Sequence, residues 1–275
     1  NPLTDETLPF ALRVEADAID LPDGRITATD TTPLLVEANG TLDVVNFAVG
    51  DLNLDLSAIG GRALFAGAAS AETVTGEMRA RFGDLAPLSP LVGQSLGGAI
   101  AATMTGTFYG PNGQDLAIEG TATDLDPGEA TLTPLLAGQT PFALRLVHGN
   151  DGRIAIGGLT LESDALTIAG DMTLDGEIID GSFSGAIADL AALANESRGA
   201  ATFSADVDGP LEAPTFDATV QVADGELVGQ PVEDATVRIE GRPIDAGWQA
   251  VLTLDGAFAG RPLSGTAEAR LETAS

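Results

Sequence analysis

The 275-residue sequence contains no cysteine, no lysine and one histidine, and only 4% of it is aromatic. Without cysteine there are no disulfides, no thiolate catalysis and no Cys-ligated zinc. That usage suits either a reducing compartment or an extracytoplasmic scaffold large enough to need no staples. Without lysine there is no Schiff-base chemistry and no P-loop, whose phosphate grip depends on that side chain. Basic charge is scarce as well: 12 arginines stand against 41 acidic residues, a formal net charge of −29. Nucleic-acid binding needs clustered cations to displace counterions, so it is close to excluded, and docking on an anionic lipid surface is disfavoured. No apolar run approaches the roughly 18 residues of a membrane span. Asn1 to Glu6 carry neither an initiator Met nor a basic n-region, so a signal peptide is expected to be absent or removed. Arg270 to Thr273 still read as strand, which gives the expectation of a piece cut at both ends from a longer chain.

What the sequence does have is 44% hydrophobic residues, enough for a core, arranged with period two. Leu159, Leu161, Leu166, Ile168, Met172 and Leu174 fall on one face, and Thr160, Glu162, Thr167, Asp171 and Thr173 on the other. This is the pattern of half-buried antiparallel strands. It returns from Leu52 to Leu56, Ile100 to Phe108, Phe216 to Val222 and Trp248 to Leu254. With so few aromatics, the dry face is expected to be a smooth one of Leu, Ile, Val and Ala, without large anchors. The acidic outer positions keep such strands soluble and discourage edge-to-edge pairing.

Asp-Gly pairs at Asp23, Asp151, Asp175, Asp180, Asp208, Asp224 and Asp255, with Asn-Gly at Asn39 and Asn112, predict tight turns or corners. Two stretches break the alternation. Asp84 to Leu91 and Asp189 to Asn195 each begin with an N-capping Asp followed by Leu at helix-like spacing, predicting one or two helical turns. Each follows a strand (Met78 to Phe82; Phe183 to Ile187) and precedes a Gly, Gly98 or Gly199, that opens another. The unit is thus about a hundred residues long, consistent with an elongated repeat array, divided at 1–75, 76–180 and 181–275. A compact sandwich or solenoid with a closed core is the alternative.

The phrase from Gly199 to Phe216, with Gly209-Pro210-Leu211-Glu212-Ala213-Pro214, continues into Ala218 to Val222. It resembles the recurrent strand-Gly-x-Leu-x-x-Pro-x-hydrophobic-strand unit of TamB proteins, the translocation and assembly module components related to the AsmA-like group. The Asp-Leu-Ala-x-Leu turns and the block from Leu159 to Gly170 look like that family too. The likeness covers about residues 60 to 275 and, more faintly, the first 60. It implies an all-β chain, an elongated sheet folded into a U-shaped hydrophobic groove (a β-taco) with one or two very short helices. It also implies the periplasmic part of an inner-membrane-anchored protein of a diderm bacterium, which works in phospholipid transport and outer-membrane biogenesis. Such a protein meets an Omp85-type outer-membrane barrel, TamA, here through a region outside this chain. On this reading the groove would hold phospholipid acyl chains against Leu159, Leu161, Leu166, Ile168, Met172, Leu174, Phe216, Val220, Val222, Leu252 and Leu254. No cofactor, metal or catalytic residue is expected. The second reading is a scaffold for outer-membrane protein assembly by β-strand augmentation.

One motif points elsewhere. Gly93-Gln94-Ser95-Leu96-Gly97 matches the G-x-S-x-G elbow of serine esterases, which needs a buried strand before the Ser and a helix after it. Pro87 and Pro90 interrupt the segment before it, and Ile100, Ala102 and Met104 resume period two behind it. The only histidine for a triad is His148, which precedes a turn at Gly149 to Gly152, so a Gly-rich corner is the better reading. Asp124, Asp126 and Glu129 have the spacing of a calcium loop without its further ligands, and read as an acidic turn.

Overall fold

A computed structural model describes residues 7–21, 24–27, 34–194, 196–244 and 247–272. The chain is all-β: strands take 72% of it, and among the described residues no helix reaches seven residues. It divides into two compact units, residues 1–133 with 137–151, and residues 134–136 with 152–275.

In the first unit β1 (Thr7–Ala16) pairs with β4 (Leu34–Asp43), while β2 (Ala18–Leu21) and β3 (Gly24–Thr27) form a separate hairpin. From β4 the sheet advances one antiparallel neighbour at a time through β5 (Ala48–Ala58), β6 (Gly61–Ala69), β7 (Val74–Phe82), β8 (Gly97–Tyr109), β9 (Gln114–Asp126) and β10 (Gln139–His148). The second unit repeats the meander with β11 (Ile154–Glu162), β12 (Leu166–Asp175), β13 (Ile178–Ile187), β15 (Ala201–Pro210), β16 (Thr215–Leu227), β17 (Gln230–Ile244), β18 (Gly247–Phe258) and β19 (Arg261–Glu272). The two-residue β14 (Arg198–Gly199) pairs with the far end of β16. The sheet is open and not closed into a barrel.

The block from Leu159 to Leu174 proves to be a hairpin. Its turn at Ser163 to Ala165 is tied by the Ser163 hydroxyl, which accepts from the amides of Ala165 and Leu166. Both Asp-Leu stretches make the short turns expected. Asp189 caps Leu190–Ala192 by accepting from the Ala191 amide at 3.0 Å, and Asp84 accepts from the Ala86 amide at 2.9 Å ahead of Ala86–Leu88 and Ser89–Val92. A leucine of each turn, Leu85 and Leu190, is buried. Leu190 packs down on Ala201 and Val222, with Ile187, Val220 and Ala235 around them.

The turn signals need correction. Asn112, Asp151 and Asp175 do sit at turns, and Asp208 lies at the end of β15, but Asn39, Asp180, Asp224 and Asp255 are strand residues; Asp23 is outside the described residues. In the strands the glycine of the pair is wanted for a different reason. Gly40 and Gly181 face side chains of the next strand, Phe10 and Val207, which lie where a Cβ would crowd them. Three further tight hairpins use Ile59-Gly60, Val228-Gly229 and Ala259-Gly260, with both residues at positive φ (53° and 74°, 52° and 70°, 53° and 70°). A β-branched side chain there is strained, at about 1–2 kcal/mol against an extended or helical backbone. Val228 is 73% exposed and loses little packing on replacement. Val228→Asn is therefore expected to raise stability by about 1 kcal/mol, read as a higher urea midpoint at unchanged slope.

Bulges interrupt the ladders between Asn39 and Thr41, Gly97 and Ala99, Ile156 and Leu159, and Glu233 and Thr236. Asp51, Asp124 and Asp234, each at φ 49°, and Gly158 at φ 59° carry the extra residue. A bulge bends its strand and increases the local twist. The aspartates tolerate the left-handed region that other side chains resist, and Asp124 adds a bond from the Gly138 amide at 2.9 Å.

Candidate functional site

Because strand neighbours are also sequence neighbours, period two sends every apolar set to the same side of its sheet. In β15, Ala201, Phe203, Ala205 and Val207 are buried or half-buried while Thr202, Ser204, Asp206 and Asp208 are exposed. The registers align these sets into rows across the strands. One row of the second unit runs Leu161, Ile168, Gly185, Phe203, Val220, Val237, Leu254 and Gly265. The first unit has its counterpart in Leu12, Ala38, Leu54, Phe65, Met78, Met104, Ile118 and Leu144. At roughly 4.8 Å per strand, each row extends about 34 Å. Neither row contains a charge.

All eleven residues named from the sequence lie on this side of the second unit. Leu159 and Leu161 are in β11, Leu166, Ile168, Met172 and Leu174 in β12, Phe216, Val220 and Val222 in β16, and Leu252 and Leu254 in β18. Leu166 and Val222 are buried, whereas Phe216 and Leu252 remain 37% and 39% exposed.

The side is not the smooth aliphatic surface expected. Phe10, Phe82, Phe142, Phe183, Phe203 and Phe216 each stand on it opposite a glycine of the next strand, Gly40, Gly61, Gly120, Gly170, Gly185 and Gly241 respectively. The rings lie over the bare glycine backbone, an arrangement that covers a position otherwise open to water. Phe65 and Phe108, two strands apart, meet edge to face at 5.3 Å, and Phe65 reaches over Gly76 of the strand between. Phe216 and Trp248 approach to 6.0 Å across β17 with their ring planes tilted by 30°, and Phe216 lies over Gly241. Few aromatics does not mean few on this face.

The apolar faces are only partly covered. On this side Leu8, Leu12, Val14 and Leu263 are exposed as well.

Charge keeps to the opposite side. Arg62 donates to Asp55, Arg145 to Asp115 and Arg238 to Asp217, all between neighbouring strands. Depressions open on this side among the described residues. One of about 540 Å³ has Glu37, Asn39, Asn53, Asp55, Glu77 and Arg79 at its rim, and one of about 250 Å³ lies among Asp206, Asp208, Asp217 and Glu240. Asp206 and Asp217 face each other directly, a like-charge pair that the Arg238 guanidinium beside Asp217 offsets. The Arg145 hydrogen bond holds the Asp115 carboxyl below its usual range. A depressed folded pKa contributes stability above the unfolded value and loses it as pH falls through the folded one. In Arg145→Gln the Asp115 carboxyl is expected to titrate at higher pH, followed by its carboxyl carbon shift in NMR.

The other sequence signals resolve locally. Ser95 is exposed, and strand β8, not a helix, follows it. It lies near the Asp126 end of β9, while His148 pairs with Gln114 at the other end. Thirteen strand residues, about 40 Å, separate the two. The Asp126 carboxylate accepts from the Thr133 hydroxyl at 2.7 Å and the Gly128 amide at 3.0 Å, which lower its pKa, so this acidic stretch is a hydrogen-bonded turn. Among the described residues no group of His, Asp and Glu has the arrangement of a metal site. Thr140 on the apolar face is fully buried with its hydroxyl unpartnered among the described residues. Thr140→Val is expected to gain about 1 kcal/mol, checked by thermal unfolding. Comparisons with protein-family models, with curated proteins and with solved structures find no match.

Proposed function

We propose that this chain is a non-enzymatic segment of a hydrophobic groove that conducts phospholipid acyl chains through the periplasm, within an inner-membrane-anchored bridge to the outer membrane. The observation that carries the reading is the uncharged row across each sheet, some 34 Å long, with all nearby charge on the opposite side. An acyl chain laid along such a row gains about 0.8 kcal/mol per buried CH₂ and needs no specific polar partner, while its headgroup stays in water. The absence of strong sites allows movement. The TamB resemblance supports the same reading and supplies the expected partner, an Omp85-type barrel contacted outside this chain, and the expected role in outer-membrane biogenesis.

The second reading is a scaffold for outer-membrane protein assembly by β-strand augmentation. Photo-crosslinkers at Ile168 and Val220 separate the two: phospholipid is expected from the groove, nascent barrel polypeptide from the scaffold. Capture of neither, with a lipid-free protein in native mass spectrometry, sinks the groove. Acylation of Ser95 by a fluorophosphonate would overturn the non-enzymatic reading.

A further inference from the structure

The glycines under the phenylalanines differ in what they have beside them, and the difference isolates a function for the rings. At Gly120, Gly170 and Gly185 a Cβ would meet both a ring and a backbone carbonyl oxygen, at 2.5, 2.5 and 2.1 Å from that oxygen. Those glycines are needed by the sheet itself. At Gly61 the three nearest atoms are all from the Phe82 ring, at 2.2, 2.3 and 2.8 Å, and at Gly241 all from the Phe216 ring, at 2.1, 2.1 and 2.7 Å. A methyl group at either place overlaps the ring and nothing nearer. The ring is the first thing that has to move, and lifting off the strand carries it toward the apolar side.

We propose that Gly61 and Gly241 set the clearance of the apolar groove, by keeping Phe82 and Phe216 laid down so that a phospholipid acyl chain passes over them. This rests on the groove reading above. The same pairing occurs once in each unit, on opposite strand neighbours (Gly61 with Phe82, Gly241 with Phe216). The occupant it fits is a flexible aliphatic chain. The rings present flat hydrocarbon, the rows carry no charge, and the aliphatic side chains between the rings offer no polar contact. Gly241 has a built-in reporter, because Phe216 lies 6.0 Å from Trp248 and the chain has a single Trp.

The test uses the full chain with a photo-crosslinker at Leu252 and vesicles of phosphatidylethanolamine and phosphatidylglycerol carrying a fluorescent acyl label. Gly241→Ala is expected to change the near-ultraviolet circular dichroism of Trp248. It is also expected to lower lipid capture about tenfold, which is what about two methylenes left unburied would cost. Adding Phe216→Ala to Gly241→Ala should restore capture. Gly61→Ala, with and without Phe82→Ala, repeats the measurement in the other unit with a crosslinker at Ala63, and keeps the test decisive if one variant fails to fold. Undiminished capture in the folded Gly→Ala variants, or no recovery in the double variants, overturns the clearance role while leaving the groove standing. No capture by the unsubstituted chain at Leu252 or Ala63 overturns both.

Discussion

An aspartate in place of Val222 is expected to destabilise the second unit by about 4 kcal/mol, while an aspartate one residue earlier, at Gln221, changes stability by no more than about 0.5 kcal/mol. Val222 is 8% exposed and packs against Leu190 and Ala201 in a buried cluster on the apolar side. Losing its burial costs about 1.5–3 kcal/mol, and the carboxylate adds a desolvation cost that no neighbour offsets. Gln221 points the other way, is exposed, and has Thr202 and Thr236 beside it. Urea unfolding of the two variants reads the contrast. Burial raises the folded pKa of the carboxyl introduced by Val222→Asp, so the penalty grows as pH rises through the unfolded value of about 3.9 and shrinks again in acid. A penalty independent of pH would locate the loss in packing alone. Equal penalties at the two positions would mean that the two sides of β16 do not differ in burial.

This contrast rests on a feature already written in the sequence. Alternation of Phe216, Ala218, Val220 and Val222 with polar residues is a local property of the chain, and a strand has only two sides, so the face assignment survives whatever the neighbours are. The Asp84 and Asp189 turns were equally legible, because a capping carboxylate acts on amides two residues away. Hairpin positions were not. Val228-Gly229 turns because the strands on either side of it register there, and that pairing overrides the poor fit of valine to a positive φ. Asp180 and Asp224 lie in strands because their glycines are wanted for contacts with other strands, which no short window contains.

The candidate groove residues were legible as a face but not as rows. Ile168, Phe203, Val220 and Leu254 fall into line only through the registers of successive hairpins, and the bulges at Gly158 and Asp234 shift those registers by a residue. The place of the phenylalanines was hidden for a related reason. Phe82 and Gly61 are 21 positions apart, Phe216 and Gly241 are 25 apart, and nothing in either segment alone marks the pairing. A search for Phe and Gly at equivalent depths in neighbouring predicted strands is the signal that would have found it.

Ile168→Asp is expected to weaken phospholipid binding roughly 50-fold, the cost of leaving about three methylenes unburied at about 0.8 kcal/mol each. Ile168 stands in the row between Leu161 and Gly185, half-buried. A carboxylate there keeps its hydration shell, and an acyl chain crossing β12 must either strip that water or lift away from the surface. Its neighbour Thr167 is exposed on the charged side, so Thr167→Asp adds the same charge without entering the row. Titrating each variant with vesicles that carry a fluorescent phospholipid separates position from charge. Loss in Ile168→Asp with little change in Thr167→Asp places the lipid on the apolar rows. An equal loss in both would mean that the added negative charge repels the vesicle surface, and the rows would then have no part in binding. Ile168→Leu, which keeps the volume and the apolar surface, should bind within about twofold of the unsubstituted chain, so that a loss there would point to disturbed packing of β12 and not to the chemistry of the row.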